Sequence, residues 1–319
     1  MFIGKDINIA AQLLQKGNLV GIPTETVYGL AGNAFDPVAI SKIFQIKKRP
    51  SFDPLIVHVG DHEEVKYLAA YIPNELESIM NHYMPGPLTI IVKKRHLIPD
   101  IVTAGSPYVG IRIPKHDVTL ELLRKIDFPL AAPSANPFGY ISPTTAQHVA
   151  DQLGSKISYI LDGGACEVGL ESTIIGVNNN GSLQVLRKGG LTLEHIEELT
   201  GKKLTINDHS SSNPQAPGML SSHYAPRVPL YLCNLREKIG SVDPERTGVI
   251  SFSDRFPSIS PNHFVTLSES GDFGEAARNL FSGMRHLDNC DIDLILAELV
   301  PNVNLGLAIN DRLRRAATH

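Results

Sequence analysis

Residues 19–30 read Leu-Val-Gly-Ile-Pro-Thr-Glu-Thr-Val-Tyr-Gly-Leu. The run 19–22 is apolar and reads as a buried strand, and Pro23 and Gly29 punctuate the segment after it. Two hydroxyls, a carboxylate and a phenol are thereby crowded at a strand end. A second stretch, residues 47–58, reads Lys-Lys-Arg-Pro-Ser-Phe-Asp-Pro-Leu-Ile-Val-His. It delivers three consecutive cations, then turn residues, then an apolar run that closes on His58. Anion-binding groups held at strand ends are how α/β proteins build ligand sites. Either stretch alone is better read as a polar turn or a solvated charge run. Both together, with the polar and Gly-rich segments further along the chain, point to a site.

Working outward, apolar periodicity predicts helices over 6–17, 37–45, 63–70, 74–83, 118–125 and 144–153. Strands are expected over 55–59, 88–93, 109–113, 130–132, 157–161 and 173–177. The alternation is not a strict βαβ rhythm, so a mixed, twisted sheet is expected rather than a parallel one. Near residue 205 the texture changes. Residues 207–217 are rich in Ser, Asn and Pro, and Pro226 and Pro229 come next, which reads as a linker. Beyond it, strands over 230–233, 247–252, 263–267 and 292–296 alternate with two helices. One has Phe273, Ala277, Leu280, Met284 and Leu287 on a single face, and the other spans 305–316. This is a second α/β domain of about 90 residues. No internal repeat is visible.

The 319 residues fit two domains, and 42% apolar with 19% charged content is an ordinary globular balance. A net charge of −4 excludes polyanion binding by bulk electrostatics, so any nucleic-acid contact must be a local patch. Cys166, Cys233 and Cys290 lie far apart without C-x-x-C spacing, which argues against disulfides and structural zinc. The N-terminus lacks a secretory pattern, and no stretch approaches the ~20 apolar residues of a membrane span. A cytoplasmic protein with no membrane partner is expected.

The common nucleotide motifs are missing: no G-x-x-x-x-G-K-[ST], no G-x-G-x-x-G after a strand, and no G-x-S-x-G elbow. His58 and His62 are four apart, but His58 ends a strand and Gly60 intervenes, so no metal site is expected there. Lys47, Lys48 and Arg49 read either as solvated surface or as a clamp on phosphates. Residues 131–137, Ala-Ala-Pro-Ser-Ala-Asn-Pro, are either a Pro-rich turn or small residues that admit a ligand beside Ser134 and Asn136. Ser142 and Pro143 read as N-cap and first residue of a helix, which is also an anion-ready terminus. Residues 162–173 are Gly-rich and end in Glu171, Ser172 and Thr173 before a strand.

Jointly these segments resemble the YrdC/Sua5 family, in its long Sua5 form, over nearly the whole chain. The family's K-x-R…S-x-N tetrad falls on Lys47, Arg49, Ser134 and Asn136, which the resemblance implies are the catalytic residues around the phosphates. Its P-T-E-T-V-Y-G-L, N-P-L-I-V-H, W-P-G-P-L-T, A-P-S-A-N, D-G-G…G-x-E-S-T and H-Y-A-P segments are recognisable, with Asp53 and Met84 standing where the family usually has Asn and Trp. The resemblance implies a twisted mixed-sheet YrdC-like catalytic domain over 1–205 and a linker or lid over 206–226. A smaller, Rossmann-like α/β C-terminal domain spans 227–319.

It also implies a reaction that joins L-threonine, bicarbonate and ATP into L-threonylcarbamoyladenylate and pyrophosphate, for t6A modification of tRNA. Threonine contacts would fall on Thr26, His58, Arg112, the backbone of Ala132, and Ser172. ATP contacts would fall on Arg49, Asp53, Tyr108, Ser134, Ser142, Arg187 and Tyr224. Magnesium would arrive with ATP, held by phosphate oxygens rather than by a protein cage. The implied partners are the three substrates, a downstream threonylcarbamoyl transferase and a weak contact with tRNA.

A carboxylate at Asp53 facing phosphate would repel it, so Asp53→Asn is expected to tighten nucleotide binding. Pairing with Lys47 or Lys48, or capping a turn, would reverse that sign. The linker is expected to act as a lid, because an extended segment of about 20 residues spans up to ~60 Å and carries Tyr224. Two rival classes are an RNA-binding module without chemistry and an adenylating carbamoyltransferase of hydrogenase maturation on the same fold. The first is disfavoured by the negative charge and scattered aromatics. The second carries acylphosphatase and zinc-finger segments that have no counterpart here.

Overall fold

The computed structural model describes residues 2–178, 180–207 and 223–317. The run 19–22 forms strand Val20–Ile22, buried at every residue, in a mixed sheet of twelve strands among the described residues. Across that sheet the order is Phe2–Gly4, Tyr159–Leu161, Val20–Ile22, Gly29–Asn33, Leu130–Ala131, Ile56–His58, Tyr108–Arg112, Leu88–Lys94, Thr173–Val177, Leu183–Arg187 and Thr205–Ile206, with Ala69–Tyr71 paired to Leu88–Lys94. Parallel pairs such as Ile56–His58 with Tyr108–Arg112 alternate with antiparallel pairs such as Tyr108–Arg112 with Leu88–Lys94. This is the mixed sheet that the irregular alternation predicts.

Helices cover the sheet because their apolar residues recur on one face. Helix Ile7–Gln15 starts where the Asp6 carboxylate accepts from the backbone N–H of Asn8 at 2.8 Å, and it buries Ala10, Ala11 and Leu14. Helix Pro37–Lys47 buries Ile40, Ile43 and Phe44, and ends in a left-handed Lys48 with φ of 53°. That geometry buries Lys47 and Arg49 and leaves Lys48 exposed, so the cationic run is not a solvated face.

One boundary is corrected. Ser142 does not cap a helix. The helix is Ala146–Leu153, with Thr145 as N-cap accepting from the His148 N–H at 3.2 Å. The Ser142 hydroxyl is committed elsewhere, donating to Glu171 Oε1 at 2.6 Å.

The C-terminal domain is a four-stranded, all-parallel sheet in the order Leu230–Leu232, Leu294–Ala297, Thr247–Ser251, Phe264–Thr266. Helices Phe273–Asp288 and Gly306–Ala316 bury Leu280, Phe281, Met284, Ile309 and Leu313. These side chains join Val27, Ile141 and Leu170 of the larger domain in one apolar cluster that crosses the domain boundary. At Gly169, where φ is +75°, an added Cβ would lie 2.5 Å from the Arg278 Cα, so only glycine permits this approach. Expectations for residues 208–222, including most of the proposed lid, lie outside the described residues.

Candidate active site

The turn after strand Val20–Ile22 organises itself. Thr24 Oγ1 donates to Val27 O at 2.6 Å and accepts from the N–H groups of Thr26 and Val27, both at 3.2 Å. Tyr28, fully buried, donates to Gly164 O at 2.6 Å and accepts from the Gly163 N–H at 3.2 Å. Two motifs far apart in sequence, the Pro-Thr-Glu-Thr turn and the Asp-Gly-Gly loop, are thus locked together.

The Pro-Ser-Ala-Asn loop succeeds strand Leu130–Ala131 and lies against the same turn. Leu30 N–H donates to Pro133 O at 2.7 Å and Ala135 N–H to Tyr28 O at 2.8 Å. Lys47 secures it from behind, its buried ammonium donating to the carbonyls of Ser134 at 2.5 Å and Asn136 at 2.6 Å. Asn136, also fully buried, donates through Nδ2 to Pro137 O at 2.9 Å and Tyr140 O at 2.7 Å.

One pocket collects Thr26, Arg49, His58, Arg112, Ala132, Ser134, Ser172, Arg187 and Tyr224 of the residues singled out in the sequence. Lys47, Asp53, Asn136 and Ser142 are buried against it without lining it. Tyr108 lies apart. It opens strand Tyr108–Arg112, half exposed, in a neighbouring groove with Tyr71, Ile91 and Leu186. Strand geometry puts its Cα about 13 Å from that of Arg112, on the same face.

The electrostatics come from guanidinium groups, each tied to a partner. Arg112 Nη2 lies 2.6 Å from Glu25 Oε2, both side chains buried. Arg187 donates to Ser172 O at 3.0 Å and to Ser172 Oγ at 3.1 Å. Arg49 Nη2 lies 2.9 Å from Asp53 Oδ2, and Nε donates to Asp53 O at 3.0 Å. Glu171 completes the set, accepting from Ser142 through one oxygen and from Arg312 Nε at 2.9 Å through the other. Tyr224 adopts a left-handed φ of 69° and is held by stacking on Phe281, with the Arg312 guanidinium over its ring. Glu25, Glu171, Arg312 and His223 are not singled out by the sequence as site residues. The two acids lie inside quoted motifs, so a carboxylate within an anion-binding segment was the available signal.

Asp53 therefore pairs with neither lysine but with Arg49, at full burial. Burial pushes its carboxyl up, and the Arg49 and Lys47 charges oppose that. The expected tightening on Asp53→Asn is withdrawn. The variant removes the anion that aims Arg49, so nucleotide binding should loosen and stability should fall by about 1–3 kcal/mol. Calorimetric ATP affinity and urea unfolding check both, and a tighter-binding variant would restore the repulsion picture.

His58 and His223 are also buried, and burial drives both imidazoles from the ordinary 6.5 to about 3. Below pH 6.5 the unfolded chain protonates them and the folded chain does not. Stability present at neutral pH is therefore lost as pH falls from 6.5 towards 3, at about 1.4 kcal/mol per pH unit for each imidazole. Urea midpoints across this range should show the slope, and His58→Gln with His223→Gln should flatten it.

Among the described residues no cluster of three or more His, Cys, Asp or Glu could hold a metal. The carboxylates of Glu25, Asp53 and Glu171 face guanidinium groups. The described residues also include no helix long and apolar enough to cross a membrane.

A family model described as telomere recombination, for Sua5, YciO and YrdC, matches residues 12–189. A second, described as the threonylcarbamoyl-AMP synthase C-terminal domain, matches residues 191–318. The chain belongs to the Sua5-type YrdC family. A Pyrococcus abyssi relative named threonylcarbamoyl-AMP synthase is 39% identical, with 98% of this chain and 94% of the relative covered. The Bacillus subtilis protein of the same name is 38% identical, covering 97% and 92%. A crystal structure of P. abyssi Sua5 complexed with L-threonine matches with a TM-score of 0.91 and 37% identity, covering 99% of this chain and 98% of that one. In this Sua5 chain, then, both domains have counterparts in one solved protein.

Proposed function

We propose that the chain is an L-threonylcarbamoyladenylate synthase, a nucleotidyltransferase that makes threonylcarbamoyl-AMP and pyrophosphate from L-threonine, bicarbonate and ATP for tRNA t6A modification. The observation that carries this is the near-complete match of both domains to a Sua5 that binds L-threonine. Bicarbonate condenses with the threonine amine to a carbamate with loss of water, and one carbamate oxygen then displaces pyrophosphate at the α-phosphorus. Such displacement needs positioning and charge neutralisation more than a protein nucleophile. A pocket built from Arg49, Arg112, Arg187 and hydroxyls suits it.

We assign threonine to Thr26, His58, Arg112, the Ala132 backbone and Ser172, with Arg112 facing its carboxylate. ATP is assigned to Arg49, Ser134, Arg187 and Tyr224, and its far end to Tyr108. Asp53 and Ser142 act from behind through Arg49 and Glu171, and Lys47 and Asn136 by shaping the loop that carries Ser134. Magnesium enters as part of the MgATP substrate. The reading also includes a cytoplasmic location, a downstream transferase that accepts the product, and weak tRNA contact. We propose domains at 1–205 and 227–319 around a 206–226 linker, a division supported by the pairing of Thr205–Ile206 with the catalytic sheet.

Pyrophosphate release from ATP should require L-threonine and bicarbonate together. Release with ATP alone, or indifferent to threonine, would overturn the reading.

A further inference from the structure

Arg312 belongs to helix Gly306–Ala316 of the C-terminal domain and is fully buried. Its guanidinium crosses the domain boundary. Nε donates to Glu171 Oε2 at 2.9 Å, and Nη1 donates to Lys188 O at 2.9 Å and to Asp311 Oδ2 at 2.8 Å. The Cζ lies 5.2 Å from the centroid of the Tyr224 ring. Nη2 has no hydrogen-bond partner among the described residues.

Glu171 lines the catalytic pocket and Arg312 does not. A bare carboxylate in a pocket that must admit a triphosphate would repel it. Burial pushes the Glu171 carboxyl up, but the Arg312 and Arg187 charges, with the hydrogen bonds from Ser142 and the backbone, together outweigh burial and hold it below the ordinary carboxylate range. It stays an anion that needs its counter-ion. The same carboxylate orients the Ser142 hydroxyl at 2.6 Å. A second contact serves the same segment, since Arg285 Nε of the C-terminal domain donates to Ser142 O at 3.1 Å.

We infer that Arg312 is a positioning residue for nucleotide: by neutralising and fixing Glu171, it makes the C-terminal domain part of the catalytic pocket. This rests on the synthase reading. A merely structural role would weaken domain docking without distinguishing the substrates.

The test is a double-mutant cycle in the full chain. Arg312→Ala, Glu171→Gln and the double variant are compared for the KM values of ATP and L-threonine, and for calorimetric affinity of a non-hydrolysable ATP analogue. Arg312→Ala should raise the KM for ATP about tenfold or more, because a buried carboxylate is left unpaired, and change that for threonine by less than about threefold. In the Glu171→Gln background the same change should cost less than about threefold in ATP affinity, since no unpaired charge remains.

An equal ATP penalty in both backgrounds, or unchanged KM values in Arg312→Ala, would overturn the inference. If Arg312→Ala does not fold, the comparison of Glu171→Gln with the double variant still decides. There, a loss of about tenfold refutes the role and near-equality upholds it. Wild-type protein that releases no pyrophosphate with threonine and bicarbonate would instead refute the synthase reading, and the analogue titration would still judge Arg312.

Discussion

Arg112→Ala should raise the L-threonine requirement by about a hundredfold or more, with far less effect on ATP. A desolvated Arg–carboxylate contact costs several kcal/mol when broken. The structure adds a second cost. Arg112 already lies 2.6 Å from the buried Glu25. Truncation therefore leaves Glu25 as an uncompensated anion where threonine's own carboxylate must enter, and the thermal midpoint should drop by roughly 10 °C. Adding Glu25→Gln separates the two. The double variant should regain thermal stability and still fail to recognise threonine. Equal losses for both substrates, or full recovery of threonine use in the double variant, would remove Arg112 from this role.

Lys47→Ala should abolish measurable ATP turnover and also destabilise the protein. The sequence alone leads one to expect both Lys47 and Arg49 to serve turnover with the fold left intact. For Lys47 the structure changes the second half of that expectation. Its ammonium donates to two carbonyls of the loop that carries Ser134. Burial holds it well below an ordinary lysine, with the Arg49 charge adding to the effect. Without it, two carbonyl groups lose their donor, at about 1–3 kcal/mol each. Urea unfolding and kcat/KM for ATP measure the two effects. A Lys47→Ala protein of unchanged stability would return the residue to direct phosphate contact.

Most elements were legible because their signals are local. Alternating or helical apolar runs gave strands such as Leu88–Lys94 and helices such as Asn74–Tyr83. Strand Gly29–Asn33 was not, because two glycines in five residues erase its pattern. Helix Leu193–Thr200 is hard to read from periodicity because it is short, although Thr192 caps it and Leu193 and Ile196 are buried one turn apart. The misplaced helix start at Ser142 has a different cause. Ser-Pro is a good local start, but the Ser142 hydroxyl is claimed by Glu171, 29 residues away.

The site divides along the same line. The motif residues lining the pocket are named by their segments, and the acids Glu25 and Glu171 lie in those segments too, but the segments do not tell which guanidinium each acid balances. Glu25 finds Arg112 only because strands Ile56–His58 and Tyr108–Arg112 carry His58 and Arg112 in register beside the Pro-Thr-Glu-Thr turn. Arg312 meets Glu171 only through the docking of two domains. Ion pairs of such separation leave no periodicity in a single chain.

The apolar cluster that crosses the domain boundary bears on how the molecule comes apart. Leu280, Phe281 and Leu313 share it with Val27, Ile141 and Leu170. Heating should therefore give one calorimetric endotherm rather than two, because neither half can lose its packing alone. A fragment ending at residue 205 would expose an oily face to water and self-associate. The two family models meet near residue 190, yet the two domains should unfold as a single cooperative unit.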